Sequence, residues 1–131
     1  MTSHEGGCTC GAVRYRLRGD PIMVGLCHCL LCRKESGSAF VFYAQWRIED
    51  FSVTGDFATF EGRSFCPQCG SRLFNLTDTL AEIRIGSLDA APTMFTPDTE
   101  GWVKRREHWL EPVAHAAQFT EDPVASGTIA Q

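Results

Sequence analysis

"CHCLLCRKESG", residues 27–37, places three thiols and a histidine within six positions. In an extended chain, residues i and i+2 point to the same side. Cys27 and Cys29 therefore share a face, and the two-residue spacer lets Cys32 return by a turn. All three sulfurs can reach one ion. His28 points the other way, where it suits a hydrogen bond behind the ligands or plain packing. Zinc centres closed by protein alone take four ligands, and a three-ligand set leaves a position for water or substrate.

Outward from this cluster lie two more cysteine pairs. "GGCTCG" carries Cys8 and Cys10, and "FCPQCG" carries Cys66 and Cys69. In the second pair, Pro67 fixes one φ and Gly70 tolerates the left-handed conformation that often follows such a turn. Two groupings fit the spacing. Cys8, Cys10, Cys66 and Cys69 can close a four-thiolate structural site, leaving the 27–32 cluster open. Alternatively, Cys29/Cys32 with Cys66/Cys69 can form a zinc ribbon, leaving Cys8, Cys10 and Cys27 over. Spacing alone does not choose. In either grouping, seven cysteines so clustered, in a chain whose polar start "MTSHEGG" shows no export pattern, read as metal ligands rather than disulfides.

Composition bounds the rest. The chain has 131 residues, of which 44% are apolar, enough for one soluble domain with a modest core. No apolar run approaches the roughly 20 residues of a membrane helix. A cytoplasmic protein without membrane partners is expected. The formal net charge of -4 disfavours a nucleic-acid surface. The basic cluster Lys104, Arg105 and Arg106 reads as a solvated strand.

Hydrophobic patterning is mostly β. Residues 12–19 alternate, with Val13, Tyr15 and Leu17 on one face and three arginines on the other. Residues 38–46 read as a buried strand. Residues 51–55 and 57–62 read as a hairpin about Gly55-Asp56. Further strands are expected at 72–76, 81–89 and 101–110, and a short helix after the 27–32 cluster, ending at Gly37. Phe40, Phe42, Trp46, Trp102 and Trp109 read as core or pocket wall. His4, His108 and His115 have no readable partner. The expected organisation is a single zinc-binding β domain over residues 1–119 with a loose tail over 120–131.

"GGCTCGAVRYRL", "CHCLLCRKESGSAF", "FCPQCGSRLF" and "IRIGSLD", in this order and followed by a last strand ending in Trp, resemble the glutathione-dependent formaldehyde-activating enzyme family, the group that includes centromere protein V. The resemblance implies an all-β, tent-like, zinc-stabilised fold of antiparallel sheets with few helical turns. It implies two zinc ions, one structural on Cys8, Cys10, Cys66 and Cys69, the other in an open and labile site on Cys27, Cys29 and Cys32. It also implies a carbon–sulfur lyase-type reaction, in which a glutathione-like thiol and a small aldehyde such as formaldehyde condense to an S-hydroxymethyl thiol.

On that reading Cys27, Cys29 and Cys32 are the catalytic residues. Three thiolates make zinc a weak Lewis acid, better suited to holding a soft thiolate than to making hydroxide. Arg33 and Lys34 follow directly and can attract a substrate carboxylate. The competing reading is a non-catalytic zinc-binding or redox-sensing interaction domain of the same fold, in which partly exposed thiolates are oxidant targets.

Overall fold

A computed structural model describes residues 2–123, so part of the expected tail, residues 124–131, lies outside the described residues. The chain is mostly β-sheet, with one α-helix and three short 3-10 turns among the described residues. The α-carbon packing divides the described residues into two compact units, residues 2–22 with 44–94, and residues 23–43 with 95–123.

The first unit opens with β1 (Ser3–Gly7) and β2 (Arg14–Arg18). The alternation read from sequence holds: Val13, Tyr15 and Leu17 are all buried. β5 (Phe51–Thr54) completes a three-stranded antiparallel sheet in the order β1-β2-β5. The expected hairpin between 51–55 and 57–62 does not form. At Gly55 the backbone turns to φ 91°, and a Cβ would lie 1.9 Å from the Ala12 carbonyl oxygen, so the chain leaves the sheet where only glycine fits. β6 (Ala58–Phe60) instead pairs with β7 (Arg63–Phe65), which pairs with β8 (Arg72–Leu76), and β8 with β9 (Leu80–Arg84).

Phe74 on β8 organises the core of this unit. It meets Tyr15 at 5.9 Å and Phe51 and Phe57 at 5.0 Å between ring centroids, all edge-on, the arrangement aromatic quadrupoles favour. The Tyr15 hydroxyl lies 2.6 Å from the Ser87 hydroxyl. Burial pushes the Tyr15 phenol up to about 12, with Asp89 adding to the rise and Ser87 opposing it.

A phenol that resists ionisation in the fold has a defined alkaline signature. The unfolded chain loses this proton near pH 10 and the folded chain near 12. The contribution is therefore intact below pH 10 and lost as pH rises from 10 to 12, by roughly 2–3 kcal/mol in total. Urea melts at pH 9 and pH 11.5 should show wild type losing about 2 kcal/mol more than Tyr15→Phe. Equal losses in the two proteins would remove Tyr15 as the cause.

The second unit contains β3 (Met23–Cys27), α1 (Leu30–Ser36), β10 (Thr99–Gly101) and β11 (Ala117–Gln118). β4 (Val41–Arg47) begins in this unit and ends in the first. The order here is β11-β10-β3-β4, and both β11 and β3 pair in parallel with β10. Gly25 lets the Tyr43 ring lie against the backbone of β3, since a Cβ there would sit 2.7 Å from the ring. Met23, Val41 and Tyr43 form a small core onto which Cys27 and Cys32 pack.

The strand expected over 101–110 stops at Gly101. Trp102 adopts φ 56°, and Val103–Arg105 form a 3-10 turn. This left-handed step turns the chain, so Lys104 and Arg106 do not share a strand face. Lys104 stacks on the Trp102 ring at 5.0 Å, whereas Arg106 turns inward. The stretch that follows Phe119 folds back, with the Trp102 N–H donating to the Glu121 carbonyl at 2.9 Å and its indole N–H to Asp122.

Candidate metal centres

The described residues hold two groups of cysteines whose sulfurs lie within 4.8 Å of one another: Cys8, Cys10, Cys66 and Cys69 in the first unit, and Cys27, Cys29 and Cys32 in the second. Of the two groupings open at the level of spacing, the structure has four and three.

The four-sulfur group is built from two tight turns rather than from a strand and a turn. β1 ends at Gly7, and Gly11 N–H closes a turn onto the Cys8 carbonyl at 3.1 Å. On the other side Gly70 N–H donates to the Cys66 carbonyl at 2.8 Å, and Cys66 N–H to the Ser71 carbonyl at 3.0 Å. The sulfurs of Cys8 and Cys10 are 3.5 Å apart, and those of Cys10 and Cys66 3.7 Å. Four sulfurs about 2.3 Å from a tetrahedral zinc would be about 3.8 Å apart, close to these two separations. The Val13 N–H points at the Cys8 sulfur from 3.2 Å. The hydroxyl of Ser71, then that of Thr9, holds the Cys69 thiol down at about 5. Donors aimed at sulfur suit thiolates bound to a cation.

The three-sulfur group comes from a strand end and a helix start. Cys27 ends β3, and Cys29 caps α1 in an extended conformation, its sulfur accepting the Cys32 N–H at 3.2 Å. α1 stops where expected, with Gly37 left-handed at φ 65°. All three cysteines are half-buried. The neighbouring Cys27 sulfur, then burial, push the Cys32 thiol up, and burial first raises Cys29. Three thiols so crowded resist becoming three thiolates until a cation sits among them. No fourth His, Cys, Asp or Glu joins the group among the described residues.

His28 lies on the opposite face, as the spacing implied. It is buried, with Nε2 2.9 Å from Glu100 Oε1 and its ring 5.7 Å from that of Phe40. Arg33 is not free to meet a substrate: it donates to Glu107 at 2.6 Å and to the carbonyls of Ala39 and Arg105. Lys34 is exposed, and no ion pair among the described residues engages it. Beside α1 an open groove of about 520 Å³ is lined by Leu30, Arg33, Lys34, Ser38, Glu107 and Trp109. Trp109, read from sequence as core or pocket wall, is wall: it is 71% exposed. Sequence reasoning singled out neither Glu100 nor Glu107. Both sit in polar stretches, and their partners are set by long-range packing.

A mostly β-sheet protein with one group of four converging thiols and one of three has two places that could hold a metal ion. The chain belongs to the glutathione-dependent formaldehyde-activating enzyme family, whose model matches residues 3–105. A curated relative, an uncharacterized lyase of Schizosaccharomyces pombe, is 28% identical over 79 residues, 56% of this chain and 58% of the relative. The chain thus spans less than two thirds of that relative's length. A crystal structure of a Rhodobacter sphaeroides protein is similar in fold, with a TM-score of 0.51 at 21% identity, covering 67% of this chain and 91% of that one. No helix among the described residues is long and apolar enough to cross a membrane.

Proposed function

We propose that the protein is a zinc-dependent carbon–sulfur lyase-type enzyme, joining a glutathione-like thiol to a small aldehyde such as formaldehyde. Cys8, Cys10, Cys66 and Cys69 hold a structural zinc, and Cys27, Cys29 and Cys32 hold a second, catalytic one. The observation that carries the reading is the difference between the two centres. The first has four converging sulfurs, whereas the second has three, half-exposed and with no fourth His, Cys, Asp or Glu among the described residues. Family membership supplies the substrate pair. Seven cysteines, none disulfide-bonded among the described residues, suit a reducing compartment and hence the cytoplasm.

Cys27, Cys29 and Cys32 would hold the second zinc, which would supply a position where a substrate thiol is bound as thiolate at neutral pH. The protein's own groups do the rest. Cys27, Cys29 and Cys32 fix that position at the start of α1. Lys34, unpaired at the groove, attracts a carboxylate of the thiol substrate, while Leu30 and Trp109 offer it apolar surface. In the condensation the sulfur forms a bond to the aldehyde carbon, the carbonyl π pair moves onto oxygen, and that oxygen takes a proton from solvent. The reverse direction is the lyase reaction.

Native mass spectrometry of zinc-replete protein, with and without glutathione, tests this directly. Two zinc ions plus one retained glutathione are expected, with the adduct lost in Cys32→Ser. Two zinc ions and no adduct would favour the non-catalytic binding module. A single zinc in replete protein would overturn the pairing of a closed and an open centre.

A further inference from the structure

Glu100 lies on β10 with 1% of its side chain exposed. Its two oxygens are fully engaged. Oε1 accepts from His28 Nε2 at 2.9 Å and lies 3.3 Å from Arg106 Nη2. Oε2 accepts from the Val113 N–H at 2.6 Å and from Gln118 Nε2 at 2.9 Å. Burial alone would raise this carboxyl, but Gln118, the Val113 N–H, His28 and Arg106 together hold it down at about 2. An ionised carboxylate accepts only, so the proton shared with the ring belongs to His28 Nε2. Nδ1 of the same ring is buried and has no hydrogen-bond partner, which leaves Glu100 as the ring's sole polar anchor among the described residues.

His28 sits between Cys27 and Cys29. Its N–H donates to the Gly101 carbonyl at 3.2 Å, one residue beyond Glu100, where β10 runs parallel to β3. Backbone and ring are thus both tied to the same short strand. With both ends held, the dihedrals that aim two of the three sulfurs have little freedom. A buried charge is a costly way to fill space, and an apolar pair of similar volume would often be neutral or stabilising. The position of this charge, directly behind a ligand segment, suggests what it is kept for.

We propose that Glu100 is a positioning residue for the three-thiol centre: through His28 it holds the Cys27–Cys29 segment in ligating geometry before a metal ion arrives. The inference rests on reading that centre as a metal site and is independent of which thiol or aldehyde it serves. Groups that only orient ligands typically change metal affinity by about 10–100-fold.

The test uses the full chain loaded with cadmium-113, whose resonances separate a four-sulfur from a three-sulfur environment, titrated with a competing chelator. Glu100→Gln should weaken the three-sulfur signal about tenfold and leave the four-sulfur signal unchanged. His28→Gln, which can donate from the place of Nε2, should retain metal close to wild type, whereas His28→Leu should lose it as Glu100→Gln does. Unchanged retention in Glu100→Gln and His28→Leu overturns the proposal. So does parallel weakening of both signals, which marks general destabilisation. If Glu100→Gln does not fold, the two His28 variants decide: equal retention overturns, selective loss in His28→Leu supports. Wild type that shows no three-sulfur signal at all would instead sink the metal reading of the centre.

Discussion

Cys66→Ala is expected to destabilise the first unit strongly. Cys66 is fully buried and stands in the turn between β7 and β8, and its sulfur lies 3.7 Å from that of Cys10, across 56 residues of chain. Beside the sulfurs, the Thr9 N–H donates to the Ser71 hydroxyl at 3.0 Å, a second direct tie between the 8–11 and 66–71 stretches of chain. Structural zinc in small domains contributes about 10–16 kcal/mol at neutral pH, against a net stability of about 5–15 kcal/mol for a domain. Loss of one of the four ligands should therefore cost about 4 kcal/mol or more, a fall in Tm of roughly 15 °C. Chelation of wild type should reproduce the effect. Circular dichroism melts with parallel zinc analysis check it, and a variant with wild-type Tm would show that the four sulfurs do not carry the fold.

Cys29→Ser should do the opposite: remove activity and spare the fold. Cys29 caps α1, and its sulfur accepts the Cys32 N–H. Serine is among the best helix caps and takes the same hydrogen bond, so the helix has no reason to unwind. What is lost is a soft ligand. Since groups that merely orient ligands are worth about 10–100-fold, loss of a ligand should lower formaldehyde–glutathione condensation by more than about 100-fold. Tm should move by only a few degrees, on the order of 1 kcal/mol. Activity within a few-fold of wild type would remove Cys29 from the chemistry and shift weight to the binding-module reading.

The contrast between these two variants follows the parts of the molecule that were legible before any coordinates. Cysteine spacing marked three short groups of thiols because closeness in sequence is local, and for Cys27, Cys29 and Cys32 it brings all three sulfurs together. Local rules also placed His28 away from the sulfurs, ended α1 at Gly37, and put Val13, Tyr15 and Leu17 inside. Spacing could not choose between a zinc ribbon and the four-plus-three grouping, because that depends on which distant turns meet. β3, "MVGLC", was missed because Gly25 interrupts an already short apolar run, and nothing local shows that Tyr43 will cover it. The hairpin at 51–62 failed because Gly55 turns the chain under the Ala12 carbonyl, a contact 43 residues distant in sequence. The 101–110 strand failed at a tryptophan in the left-handed region, a conformation no propensity scale assigns to it. Glu100 was hidden for a related reason. A glutamate in "DTEGW" reads as solvated, and two of its four donors, Val113 and Gln118, arrive 13 and 18 residues later from a stretch with no pattern of its own.

The two cysteine centres also differ in how much chain each encloses. Cys27, Cys29 and Cys32 lie within six consecutive residues, whereas the four-sulfur set spans Cys8 to Cys69. During synthesis the short cluster leaves the ribosome complete, with all its thiols present long before β8 exists. The long one stays half-made until Cys69 emerges, and its first two thiols wait through nearly sixty further residues at about 5–20 residues per second. For those seconds the nascent chain offers a complete three-thiol group beside only two thiols of the other centre. On the proposed reading the ion of the three-thiol centre can therefore be acquired first and that of the four-thiol centre last, after closure of the 8–69 loop.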